Sequence, residues 1–190
     1  MKTPFFVLLI SATALVAATS PLSAQQKGVI PISAEGSSKV STSRAVVVGI
    51  SDYQDPDIPD LRFADRDAEA FANFLRSPAG GSLDDDHLQV LINKEATAGK
   101  IGAALYWLID ESKEGEQVII YFSGHGDVEA KLRGQPGFLL CWDAPSQVYM
   151  TGGTLQLGML QTIISTLSLD IKAKVTVITD ACHSGRLAGK

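Results

Sequence analysis

Val118-Ile-Ile-Tyr-Phe-Ser-Gly-His-Gly-Asp127 and Lys174-Val-Thr-Val-Ile-Thr-Asp-Ala-Cys-His-Ser-Gly185 are two segments built to one plan. Each opens on an apolar, β-branched run of strand length and then breaks into polar and glycine residues. A reactive side chain stands just past the end of each run, His125 in the first and Cys182 in the second. Working outward, Ala45-Val-Val-Val-Gly-Ile50 is a third run, continuous enough for a strand buried on both faces, and Leu88-Gln-Val-Leu-Ile92 is a fourth.

Between the runs the pattern is helical. A helix is predicted to open near Asp65, with Ala68, Phe71, Phe74 and Leu75 on one side, and to stop at Ser77-Pro-Ala-Gly-Gly81. From Thr97 to Ile109, apolar residues at 101, 104, 105, 108 and 109 follow the spacing of an amphipathic helix. A third helix is predicted from about Leu155 to Leu167, and Phe138-Leu-Leu-Cys-Trp142 reads as part of a small hairpin. Strands alternating with helices imply right-handed crossovers, hence an α/β fold: a three-layer αβα sandwich on a mostly parallel sheet of four main strands.

The first 24 residues read as a signal peptide. Lys2 gives a positive start, Phe5 to Ala18 is apolar, and Leu22-Ser-Ala24 ends in a small residue suited to cleavage. The apolar stretch is shorter than the roughly 20 residues of an ordinary membrane span. No cysteine follows it to carry a lipid anchor. The expectation is export to the periplasm or the exterior. Residues 25–43 are polar, rich in Ser and Gly, and read as a flexible leader; residues 44–190 are expected to form the one folded domain, which carries both His125 and Cys182.

The 190 residues carry a net charge of −5, and the signal-peptide segment, residues 1–24, contributes one lysine and no acid. Without a basic cluster, nucleic acid and anionic membranes are not expected partners. The two cysteines, Cys141 and Cys182, make no disulfide framework, although a bridge between them would silence the thiol.

Ligands of open α/β sheets bind beyond the carboxyl ends of the strands, where His125 and Cys182 both fall. If their strands are neighbours, about 4.8 Å separates the backbones, and imidazole and thiol can face each other across a substrate. That pair suffices for nucleophilic attack on an amide or ester carbonyl. The thiolate would be the nucleophile and His125 the general acid–base. Gly124 and Gly126 allow close approach of backbone, and the amides of Gly126 and Cys182 are candidate oxyanion donors.

Ser123-Gly-His-Gly126 and Asp180-Ala-Cys-His-Ser-Gly185 resemble the two catalytic motifs of the caspase-like cysteine peptidases, in the metacaspase and bacterial branch. Leu61-Arg-Phe-Ala-Asp-Arg-Asp-Ala68 resembles that family's Asn-Asp-Ala helix start, with Arg66 where Asn is usual. The resemblance covers residues 44–190. It implies a sheet of about six strands, of which four are present here, with a small-subunit-like continuation as the missing part. It also implies that Asp67, Ser123 and Asp180 line a first specificity pocket of two buried carboxylates and a hydroxyl. Such a pocket suits Arg or Lys in a protein or peptide substrate.

Other polar residues read more plainly. His183 is expected to be structural and His87 to lie in a solvated acidic turn. No cofactor or metal is expected: zinc spacing is missing, and Asp84-Asp-Asp86 lacks the alternate spacing of a calcium loop, although some metacaspases respond to Ca²⁺. Cys141 and Trp142 read as hairpin core, and Asp143 as either a turn residue or a support for the catalytic-side loop. Two rival functions stand beside the endopeptidase: a catalytically silent interaction module of the same fold, and a cysteine hydrolase of another acyl substrate.

Overall fold

The computed structural model describes residues 42–181. Four parallel strands form the main sheet: β1 (Ser43–Gly49), β2 (Leu88–Ile92), β3 (Gln117–Ser123) and a last strand, Lys174–Asp180, in the spatial order β2-β1-β3-last. The first strand therefore starts at Ser43 rather than Ala45, because Ser43 still pairs with Gln117. The predicted neighbours are neighbours: Ser123 lies in register with Asp180 on one side and with Gly49 on the other.

Helix α1 (Ala64–Arg76) covers one face of this sheet. Ala68, Ala72 and Leu75 pack on Ala45, Val47, Ile119 and Tyr121. The opposite face, formed by Val46, Val48, Val118, Ile120 and Phe122, takes α2 (Ala98–Glu111) and α3 (Leu157–Ser165). Alternate residues of β1 and β3 thus enter different cores, as strand geometry requires. Gly49 sets the distance of α1, because a Cβ there would lie 2.4 Å from the Ala68 Cβ and 2.6 Å from the Ala64 carbonyl. The start of α1 is thereby seated over the carboxyl ends of the strands.

A second, antiparallel sheet of β4 (Gly126–Val128), β5 (Gly137–Leu140) and β6 (Thr154–Gln156) follows directly from the His125 loop; the last main strand is accordingly β7. The 138–142 run supplies β5, which forms the expected hairpin with β4 and is also the central strand of this three-stranded sheet. Its Leu139 and Leu155 are buried in the larger core. The third helix begins at Leu157, two residues later than its pattern predicts. Leu155 instead pairs with Leu139 from β6, and residues 166–170 close the helix in a wider π-type turn. Leu155 and Leu157 enter the same core, so apolar spacing carried no sign of the boundary.

No helix among the described residues is long and apolar enough to cross a membrane. The signal-peptide segment, the leader up to Ser41, Cys182 and His183 lie outside the described residues.

Candidate active site

Three of the residues singled out in the sequence meet at the carboxyl edge of the sheet. Ile119 and Tyr121 face α1, so Ser123, two residues further, faces the same way, and Asp180 stands beside it in register. Asp67 comes from the first turn of α1. Together with His125 they line one cleft of about 330 Å³, whose remaining wall includes Arg62, Phe63 and Ala181. Ala181 is the last described residue, and Cys182 follows it in the chain.

The burial differs from expectation. Ser123 is 2 % exposed, but Asp67 and Asp180 are both open to solvent. Asp67 sits on the outer rim of a helix turn, and Asp180 ends a strand at the sheet's edge among the described residues. Among the described residues, the acidic pair therefore lines an open cleft.

Two acids in the same turn have divided their work. Asp65 is structural: its carboxylate accepts from Ser51 Oγ at 2.7 Å and from Asn93 Nδ2 at 3.4 Å, while its own amide donates to Ser51 Oγ at 3.0 Å. The Ser51 hydrogen bond is the chief reason its carboxyl lies below the usual range. Asp67 accepts no hydrogen bond on its side chain among the described residues and faces the cleft. Arg66 packs over the Phe63 ring at 6.0 Å, as Arg62 does at 5.4 Å.

His125 is oriented by two groups that the sequence did not announce. Its Nε2 lies 2.7 Å from the Pro59 carbonyl oxygen. A carbonyl only accepts, so Nε2 carries the hydrogen, and Nδ1 is left with the lone pair in the neutral ring. Its backbone N–H donates to the Tyr53 hydroxyl at 2.8 Å, and the Tyr53 ring stands 5.2 Å from the imidazole. Burial pushes the Tyr53 phenol well above its ordinary value, keeping it neutral. Both partners come from the 51–61 loop, which is closed by the Leu61 amide donating to the Ser51 carbonyl and tied down by the Gln54 amide donating to the Trp142 carbonyl.

A third unannounced residue is Tyr121, whose ring stacks on Phe71 at 4.7 Å. Burial, then the charges of Asp67 and Asp180, push the phenol up. A neutral hydroxyl thus stands beneath the acidic cleft.

Three residues away from the cleft have plain structural roles. Cys141 is a fully buried free thiol, pushed up by burial and then by Asp143, and so is core. Asp143 accepts from the Ala98 amide at 2.8 Å and satisfies the start of α2, beside the Thr97 cap. His87 pairs with Asp84 at 2.6 Å in a surface turn. Among the described residues, no group of three His, Cys, Asp or Glu side chains is arranged to hold a metal ion.

A parallel sheet bearing a glycine-flanked histidine at its carboxyl edge, beside an acidic cleft, defines a class, and the chain belongs to it: the caspase-domain family, whose sequence model matches residues 42–190. Particular relatives are similar over most of the chain. Metacaspase-1 of Meyerozyma guilliermondii is 27% identical over 150 residues, 75% of this chain and 35% of that protein. Metacaspase-1 of Mycosarcoma maydis is 27% identical over 157 residues, 80% of this chain and 38% of that protein. The chain thus spans little more than a third of the length of these metacaspases. A crystal structure of a Geobacter sulfurreducens protein shares the fold with a TM-score of 0.55 at 20% identity, covering 75% of this chain and 51% of that one.

Proposed function

We propose that the chain is a cysteine endopeptidase that cuts peptide bonds after Arg or Lys, with Cys182 as nucleophile and His125 as general acid–base. The observation that carries the reading is the shared cleft: Asp67, Ser123 and Asp180 line the same surface as the imidazole. A guanidinium or ammonium between two carboxylates, with hydroxyls from Ser123 and Tyr121 nearby, satisfies both charge and hydrogen-bond donors.

The tautomer set by Pro59 assigns the proton path. Nδ1 takes the Cys182 thiol proton as sulfur attacks the carbonyl carbon. The amides of Gly126 and Cys182 receive the oxyanion. Nδ1–H then protonates the departing amine as the C–N bond breaks, leaving a thioester. Water, deprotonated by Nδ1, attacks the thioester, releases the carboxylic acid and returns the thiol. The Pro59 carbonyl stabilises the imidazolium formed at both stages, as a fixed acceptor for Nε2–H.

Fluorogenic peptides ending in Arg, Lys or Asp, offered to the full-length protein with and without Ca²⁺, test this reading. Hydrolysis after Arg and Lys but not Asp is expected, lost in Cys182→Ala and retained in His183→Ala. Absence of Arg cleavage would falsify it and favour the interaction module.

A further inference from the structure

His125 separates two clefts. The acidic specificity cleft lies on one side. On the other, Asp57, Pro59, Gly126, Asp127, Gln147 and Tyr149 help line a second cleft of about 250 Å³ that also takes in the imidazole. Asp127, Gln147 and Tyr149 are shared with a third cleft of about 210 Å³, which reaches Glu129. The second and third form one channel leading away from His125.

This channel is built around carboxylates. Tyr149 fixes two of them: its hydroxyl donates to Asp127 Oδ2 at 2.7 Å, and its amide donates to Glu129 Oε2 at 3.1 Å. The Val128 amide holds the other Asp127 oxygen at 2.7 Å. Glu129 is only 7 % exposed and accepts the Tyr149 amide, and no ion pair to it is formed among the described residues. Lys131 lines the third cleft too and is exposed, but forms no ion pair with Glu129. With Asp57, Asp127 and Glu129 along it against one exposed lysine, the channel concentrates negative potential and favours a cation.

We infer that the channel beyond His125 is a leaving-side subsite that binds a cationic side chain, Lys or Arg, one or two residues after the scissile bond. The inference rests on the peptidase reading above. If the residue before the cut occupies the Asp67–Asp180 cleft, the leaving peptide passes the imidazole on its other side, into this channel. Asp57 and Asp127 meet the chain first, and Glu129 meets a side chain reaching further. An acidic residue entering the same channel is repelled by all three carboxylates.

The test uses internally quenched peptides with Arg before the cut and Lys, Gln or Glu at the first and second positions after it. For the full-length protein, kcat/KM is expected to favour Lys over Glu by roughly tenfold, the range open to a few partly screened charge contacts. That ratio should fall to about twofold or less in Asp127→Asn and in Glu129→Gln, and should reverse in Gln147→Lys, which places a cation on an exposed loop position. Because the readout is a ratio within one variant, a partly destabilised Glu129→Gln protein does not confuse it. Efficient Arg cleavage with no preference after the cut would overturn the channel inference alone. So would a preference that Asp127→Asn and Gln147→Lys leave unchanged. Failure to cleave any of the peptides would overturn the peptidase reading, and this one with it.

Discussion

Tyr53→Phe removes one oxygen and tests how His125 is held. The hydroxyl accepts the His125 amide at 2.8 Å from a side chain 8 % exposed, and the ring, which stays, packs 5.2 Å from the imidazole. A net hydrogen bond contributes about 1 kcal/mol, and a donor left orphaned in a poorly solvated position costs about 1–3 kcal/mol. The variant should lose about 1–2 kcal/mol of stability, or roughly 3–6 °C in Tm for a domain of this size. Turnover should fall further than binding. With its backbone untethered, the imidazole samples poorer directions for Nδ1, and about 1.4 kcal/mol of misalignment is a tenfold loss in kcat. KM should hardly move, since the specificity cleft keeps its carboxylates. The phenol is neutral across the working range, so the activity ratio to wild type should be flat between about pH 6 and 9. A double-mutant cycle sharpens the argument: a Cβ at Gly124 would lie 3.0 Å from the Tyr53 oxygen, so Gly124→Ala should cost less in the Tyr53→Phe background than alone. Thermal melts and steady-state kinetics on the same preparations decide it. A Tyr53→Phe protein that melts and turns over like wild type would show that this hydrogen bond does not position the catalytic loop.

Asp67→Asn and Asp180→Asn should each lower kcat/KM for Arg peptides by about tenfold while leaving Tm within about 1 °C, since both side chains are exposed; an unchanged Arg preference would remove them from the specificity cleft. The Asp65 carboxyl is depressed in the folded state, so the stability it contributes is present above its unfolded pKa near 4 and is lost as pH falls through the lower folded value. Asp65→Asn should therefore melt lower than wild type at neutral pH and show a shallower decline on acidification, and parallel Tm–pH curves would contradict that role. Export with cleavage after Ala24 predicts a mature N-terminus at Gln25, read by intact-mass measurement of the secreted or periplasmic protein; retention of Lys2 would refute it.

The two central strands were legible because a strand covered on both faces has to be apolar along its whole length, as Val46–Val48 and Val118–Phe122 are, whereas β2 and β7, only partly covered, showed themselves by short runs rich in Val, Ile and Leu. That His125 falls beside one cleft with Asp67, Ser123 and Asp180 followed from strand ends plus the family resemblance; neither alone would have joined a helix-turn aspartate to two strand-end residues. What stayed hidden has a physical cause in each case. Pro59 acts through a carbonyl oxygen, which every residue has, so no side-chain signature exists. Tyr53 reaches a residue far along the chain from an irregular loop, where periodicity says nothing. The three-residue strands β4 and β6 are too short to show alternation, and Leu155 is buried whether it belongs to a strand or a helix.

One loop, residues 51–63, serves both halves of the site. It delivers the Pro59 carbonyl and the Tyr53 hydroxyl to His125, and it ends in Arg62 and Phe63 on the wall of the acidic cleft. Its anchors are carboxylates with no direct chemical task. Asp55 accepts the amides of Ser146 and Asp57, and Asp65 holds Ser51. Both lie below the usual carboxylate range because of those hydrogen bonds. Protonating either one should weaken the loop, and on the proposed peptidase reading a loosened loop would disturb proton transfer and side-chain selection together. The motif's two aspartates are therefore not equivalent: Asp67 meets the cleft directly, while Asp65 reaches it only through the backbone it pins. A substitution at Asp67 should change which peptides are cut, and one at Asp65 should change how well all of them are cut.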